Sequence, residues 1–206
     1  GAGIGTDGTS FQFAISENNW LGKGVKLQTA LNLSTEQIRG NILVNNPNYN
    51  FTDKALKVGF DISSTDRSAS SGYSSKNTGF VIGVGFEQYE DLFFTPELNV
   101  ALEDIEADAS ASSSIKAMDG NFFNVDFSYG LLLDKRDQSW KPTDGYKASF
   151  AQSIPIVQNS SAISNSFSVS TYHDLSDDVI ASLKFHGTAI NGIDKDVRLT
   201  KRLYMR

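Results

Sequence analysis

The chain has 206 residues, enough for one domain with a real interior or for one all-β barrel or sandwich. A formal net charge of -6 argues against a nucleic-acid surface, and the absence of cysteine excludes disulfide scaffolds, thiolate zinc sites and cysteine nucleophiles. No apolar run approaches the ~18 residues a membrane helix needs, so membrane residence would have to come from strands.

The first element is Gly1–Thr6, which reads as part of a strand. After the turn Asp7-Gly8, period-two alternation begins and helical periodicity is hard to find. Phe11, Phe13 and Ile15 share one face, against Gln12, Ala14 and Ser16. Past Asn19–Gly24, Val25, Leu27, Thr29, Leu31 and Leu33 oppose Lys26, Gln28, Ala30 and Asn32. Ile38, Gly40, Ile42 and Val44 oppose Gln37, Arg39 and Asn41. Leu56, Val58, Phe60 and Ile62 oppose Lys57, Gly59, Asp61 and Ser63. A Ser- and Gly-rich stretch, Asp66–Lys76, reads as a mobile loop without a packed role.

Phe80, Ile82, Val84 and Phe86 then alternate with Gly83 and Gly85. Leu98, Val100 and Leu102 oppose Glu97, Asn99 and Glu103. A second low-complexity loop, Asp108–Gly120, precedes Phe123, Val125, Phe127, Tyr129 and Leu131, which oppose Asn124, Asp126 and Ser128. The pattern recurs more weakly near Phe150, Phe167 and Leu183. The chain stops at Leu203–Arg206 with no terminating signal, which reads as an excerpt of a longer chain. No domain boundary stands out.

About eleven strands of roughly 8–12 residues result, long enough to cross a bilayer when tilted. Tight turns at one end and longer loops at the other would follow the outer-membrane habit. A soluble sandwich alternates too, with its apolar face turned inward. Strand length and a polar face of Ser, Asn, Gln and Gly favour the membrane barrel. Trp20, Tyr49, Phe51, Tyr89, Phe93, Phe94, Trp140 and Tyr146 fall near strand ends, where an interfacial girdle or ordinary end-plugging would put them. Phe11, Phe13, Leu31, Ile42, Val58, Phe60, Ile82, Val100, Phe127 and Leu183 are expected on the convex side. Lys26, Arg39, Lys57, Asp61, Glu97, Glu103, Asp126 and His186 are expected on the concave side.

Catalytic patterns are missing from the sequence. It has neither a G-x-S-x-G elbow nor a phosphate loop. His173 and His186 lack a sequence-local metal partner. Glu103 and Asp104 point to opposite faces of a strand, a poor acid–base pair. Asp53, Asp134, Asp137 and Asp144 sit in turns, where Asp is favoured for local hydrogen bonding. The reading is of a protein that is not an enzyme and has no catalytic residue, metal site or cofactor.

Several segments resemble the barrel of the BamA family. Gly1-Ala2-Gly3-Ile4-Gly5-Thr6 with Asp7-Gly8 and Ser10–Phe13 is similar to that barrel's opening hairpin. Asn18-Asn19-Trp20-Leu21-Gly22-Lys23-Gly24 resembles its first periplasmic turn, and Asn45-Asn46-Pro47-Asn48-Tyr49 its second. Asp134-Lys135-Arg136-Asp137, with Trp140 and Pro142-Thr143-Asp144-Gly145-Tyr146, resembles another turn of the family in order and spacing. Lys201-Arg202-Leu203-Tyr204 is similar to the approach to the sixth extracellular loop. The likeness is collinear along the chain, and the turns around Trp20 and Pro142 carry it most specifically. Glycines at 22, 24 and 145 and Pro142 suit tight turns on physical grounds as well.

The resemblance implies an antiparallel up-and-down transmembrane barrel of sixteen strands. Residues 1–206 would form its N-terminal two-thirds, with POTRA domains and the final strands outside this sequence. It implies an outer-membrane insertase of a Gram-negative bacterium that templates incoming strands at a seam formed by Gly1, Ala2, Gly3, Ile4, Gly5 and Thr6. Implied partners are unfolded outer-membrane proteins, outer-membrane lipid, Bam-type lipoproteins and periplasmic chaperones, and no nucleic acid. A related translocation barrel such as TamA fits as well. The alternatives are a passive porin-like channel and, more weakly, a soluble β-sandwich binding module.

Overall fold

A computed structural model describes residues 2–5, 8–157, 162–176 and 178–193 of the protein. Eleven strands form one sheet in strictly sequential order. They are β1 (Ala2–Gly5), β2 (Gly8–Trp20), β3 (Val25–Ser34), β4 (Gln37–Asn46), β5 (Ala55–Arg67), β6 (Tyr73–Tyr89), β7 (Leu92–Ala107), β8 (Gly120–Asp134), β9 (Gly145–Val157), β10 (Ala162–Ser176) and β11 (Val179–Gly192). The meander is antiparallel and open, with β1 and β11 as its edges. Helix among the described residues is confined to α1 (Ser68–Ser71), α2 (Ser113–Lys116) and a 3-10 turn at Tyr49–Phe51. The expected all-β architecture is therefore what the chain adopts.

Residue contacts fall into two compact units. One comprises Gly1–Gly83, Leu98–Val125 and Val157–Asn159, the other Val84–Glu97, Asp126–Ile156 and Ser160–Arg206. In the first unit the registers of β2 to β5 line up side chains in rows. Phe13, Leu31, Gly40 and Ile62 stand abreast, as do Ile15, Thr29, Ile42 and Phe60. One position along, the rows are Gln12, Asn32, Arg39, Ser63 and Ala14, Ala30, Asn41, Asp61. A one-residue slip in any strand would mix these faces, so the alternation fixes the register.

The apolar face is the exposed one. Phe11 is 58%, Ile42 51% and Phe60 46% exposed. In a soluble sandwich those side chains would press against a second sheet. Among the described residues there is one sheet, and no large side chain is fully buried. On the polar face Asn32, Asn41, Asp61 and Ser63 are half-buried and Gly59, Gly79 and Gly83 are buried, while Gln12, Lys26, Gln28 and Arg39 are exposed. Large apolar side chains left exposed on one face, opposite a polar face, are the arrangement of a membrane barrel wall.

The second unit repeats the scheme. Ala148, Val169 and Phe185 are abreast, as are Phe150, Phe167 and Gly187. The opposite face carries Ser149, Ser168, His186 and Lys147, Ser170, Lys184. Ring contacts run along the apolar face, Phe86 to Phe94 at 5.7 Å, Phe94 to Tyr129 at 6.0 Å and Tyr129 to Phe150 at 6.1 Å. One row breaks the alternation. The Tyr129 hydroxyl donates to Gln152 Oε1 (3.0 Å), and Gln152 Nε2 donates to Asn165 Oδ1 (2.6 Å).

Two expectations are corrected. The stretches 66–76 and 108–120 are packed structure. β5 continues to Arg67 and β6 begins at Tyr73, so the first connection shrinks to α1 and Gly72. Gly72, at φ 73°, caps α1, and a Cβ there would lie 3.1 Å from Ala111 Cα. The Asp108 amide donates to the Gly72 carbonyl (2.8 Å), and Asp119 Oδ2 accepts from the Ala107 amide (2.9 Å). Ser112 caps α2, and Lys116 Nζ donates to the Ala109 carbonyl (2.6 Å). The small side chains that look like low complexity are what let these two connections approach each other. Ala111 is buried there.

The second correction concerns turn length, which does not separate the two ends. In a meander, alternate connections share an end. The tight turn after β2 therefore shares its end with the longer one at 47–54, while the tight turn at 35–36 shares the other with α1.

Candidate functional site

The first strand pairs in the register Ala2↔Phe11, Gly3↔Ser10, Ile4↔Thr9 and Gly5↔Gly8. Gly1 and Thr6 of the expected seam lie outside the described residues. Of that segment, Ala2, Gly3, Ile4 and Gly5 form an edge strand, and β2 is their neighbour in the sheet. Residues Thr9 to Trp20 of β2 are all exposed. Glycine at every second position removes the side chains that would otherwise pack across this pair and raises the entropy lost on ordering.

The turn after β2 is built on Asn19. Its carbonyl accepts from the Gly22 amide (3.0 Å) and its Oδ1 from the Gly24 amide (2.6 Å). Leu21, Gly22 and Gly24 all have positive φ, and Trp20 pairs with Val25 beyond a bulge in β2. Trp20 and Leu21 project outward, both exposed.

The turn after β4 is organised by two asparagines. Asn46 Oδ1 accepts from the Asn48 amide (3.1 Å), and Asn48 Oδ1 from the Asp53 amide (3.0 Å). Pro47 lies exposed between them. Asp53 sits at φ 55°, a strained value that Asn and Asp tolerate best.

The connection between β8 and β9 is the most heavily bonded. Arg136 forks onto the carboxylate of Asp134, Nε to Oδ1 and Nη2 to Oδ2, both 2.7 Å. Asp137 accepts from the Thr143 amide (3.0 Å), the Asp144 amide (3.2 Å) and the Thr143 hydroxyl (2.7 Å). The Thr143 hydroxyl, followed by these amides, holds the Asp137 carboxyl below the usual range. Lys135 reaches Asp91 in the turn between β6 and β7 (2.7 Å), and that carboxylate raises the Lys135 pKa. Pro142 is half-buried, while Trp140 projects into solvent. Gly145, at φ 96°, lies against Lys135, whose carbonyl oxygen a Cβ would overlap.

The structure places Arg136 and Thr143 in the connection between β8 and β9, and Asn19 and Asp134 at the ends of β2 and β8. Asp137, expected in a turn with local hydrogen bonds, makes them to Thr143 and Asp144. Sequence reading did not single out the Asn48 side chain as an organiser, although it is an Asx side chain five residues ahead of the amide it binds. It also missed a cluster that pairing creates. Tyr172 pairs with Gly145, which sets His173 beside Asp144, with Nδ1 to Oδ1 at 3.3 Å and Asp174 Oδ1 at 3.9 Å. All three are exposed, and exposed pairs of this kind contribute little.

Residues 19–205 match the model of the Omp85 superfamily domain. Among solved structures, the chain is similar to BamA from Haemophilus ducreyi lacking POTRA domains 1-3, with a TM-score of 0.73 at 18% identity. That likeness covers 95% of this chain and 41% of the other. At such identity the likeness concerns the fold, and the chain spans less than half of that relative's length. The family match, the single open meander and the outward apolar face agree, and the chain belongs to the Omp85 superfamily.

Proposed function

We propose that this chain is part of an outer-membrane barrel that inserts other β-barrel proteins, with β1 as the seam strand. The observation that carries the reading is the glycine-spaced edge strand Ala2–Gly5 in a sheet of this superfamily. An unpaired sheet edge offers a row of main-chain donors and acceptors, and an incoming strand gains affinity by pairing with it. A weak first strand lowers the cost of exchanging its partner. No nucleotide is required, since burying a hydrogen-bonded barrel in lipid is itself downhill.

In this reading the exposed side chains of Phe11, Phe13, Ile42 and Phe60 meet outer-membrane lipid. The turns built on Asn19, Asn46 and the Asp134–Gly145 segment lie at the periplasmic end. Unfolded outer-membrane proteins are the substrates, and Bam-type lipoproteins and periplasmic chaperones are the partners of the whole protein. Reconstitution of the full-length protein in vesicles tests this. Unfolded barrel substrate should fold at least about tenfold faster than in empty vesicles, a change of about 1.4 kcal/mol in barrier. Unchanged folding together with leakage of small solutes would replace the proposal with a passive channel.

A further inference from the structure

A cavity of about 400 Å³ opens at the end of the sheet that carries α1 and α2. Its walls include Lys76 and Thr78 of β6, Leu102 and Asp104 of β7, and Asn121 and Phe123 of β8, all within the first compact unit. Alternation sets these six on the face of Phe80, Ile82, Val100 and Val125, which is the apolar one. Lys76, Leu102, Asn121 and Phe123 are exposed, and Thr78 and Asp104 half-buried.

The cavity has two levels. Leu102 and Phe123 continue the apolar rows of their strands. Lys76, Asp104 and Asn121 lie beyond them, nearer the strand ends. Glu103 also lines the cavity, but it alternates to the polar face and is already engaged. The upper level thus offers one ammonium, one carboxylate and one amide above an apolar floor.

Other charges at this end lean acidic. Arg67 pairs with Glu36 at 3.8 Å, Lys116 donates to the Ala109 carbonyl, Asp66 accepts from Ser68 and Asp119 from the Ala107 amide. Glu106 and Asp108 are exposed nearby. A purely anionic ligand would meet this field unfavourably.

Two ordinary explanations fall short. A cross-strand ion pair would join Lys76 to Asp104, yet among the described residues neither side chain makes an ion pair or hydrogen bond. A solvated strand end accounts for the polar level and a lipid-facing wall for the apolar one. A hollow that joins the two has the shape an amphiphile fills.

We infer that this cavity seats the headgroup of a phosphoethanolamine lipid. The phosphate accepts from Lys76, Thr78 and Asn121, the primary ammonium donates to Asp104, and the acyl chains run over Leu102 and Phe123 toward Phe80. A choline headgroup lacks N–H donors for Asp104, and a glycerol headgroup lacks the cation. The inference rests on the outer-membrane reading of the apolar face and is independent of the seam, since none of these residues belongs to β1.

The test uses the full-length protein with Phe80→Trp as a reporter below the cavity. It is reconstituted in phosphatidylcholine vesicles doped with acyl-brominated phosphatidylethanolamine, phosphatidylglycerol or phosphatidylcholine, and quenching of the parent protein is subtracted. Brominated phosphatidylethanolamine should be enriched about fivefold over the other two, the size expected of two partly exposed charged contacts. K76Q should reduce the preference, and D104N should turn it toward phosphatidylglycerol. K116Q, in the neighbouring connection, should leave it intact. Heat-modifiable gel migration checks that each variant is folded. Equal quenching by all three lipids, or a preference unchanged in folded K76Q and D104N, would overturn the inference and leave the membrane reading standing. Abolition of the enrichment by soluble glycerophosphoethanolamine would also overturn it, by making a free headgroup the ligand. Absence of quenching by any brominated lipid would instead defeat the assignment of lipid to this face, and the inference with it.

Discussion

Gly145 and Gly22 both have positive φ, but their surroundings differ. Nothing lies within 4 Å of a Cβ at Gly22, whereas at Gly145 it would overlap the Lys135 carbonyl. Gly22→Ala should cost about 1–2 kcal/mol, the left-handed backbone penalty alone. Gly145→Ala adds a clash with main chain that cannot swing away, so its urea midpoint should fall further. Equal midpoints would mean that the close packing around Gly145 is not maintained in solution. Asp137 gives a pH prediction in the same turn. Its folded pKa is depressed, so its stabilisation is complete above the ordinary carboxylate pKa of about 4 and is lost as pH falls through the lower folded value. Asp66 and Asp134 are depressed as well, so both proteins should lose stability between pH 5 and pH 2, and the wild-type protein should lose more than Asp137→Asn. Superimposable pH profiles for the two proteins would contradict this role.

For the strands, the decisive quantity is the face. Val58 stands beside Val44 on the apolar face, and Lys57 beside Asn45 on the polar one. A cation in the lipid midplane costs roughly 2–4 kcal/mol, so Val58→Arg should impair folding into lipid vesicles far more than Lys57→Val. Matching yields would remove the basis for assigning lipid to the apolar face. This much was legible in the sequence, because a period of two assigns a face to each residue without knowledge of its neighbours. What was not legible depends on contacts between elements. The 66–76 and 108–120 stretches read as mobile because Ser, Ala and Gly carry little pattern. Gly72 and Ala111 nonetheless pack there because both are small. Asp144 and His173 meet only through the β9–β10 register. Gln152 and Asn165 interrupt the apolar face together, and their mutual hydrogen bond is invisible until that same register is known.

For the whole molecule, superfamily membership and a single open meander support a barrel wall, while the seam is a claim about β1. The direct measurement is site-specific crosslinking in the full-length protein, with cysteines at Gly3, Ile4 and Gly5 and, as a distant reference, at Val125, against a stalled barrel substrate. Disulfide crosslinks need Cβ atoms about 4 Å apart, so they report strand pairing and not mere proximity. The expected result is crosslinks along Gly3–Gly5 that shift in step with the substrate position, and none at Val125. Crosslinks at Val125 with none in Gly3–Gly5 would contradict the seam and leave the fold standing.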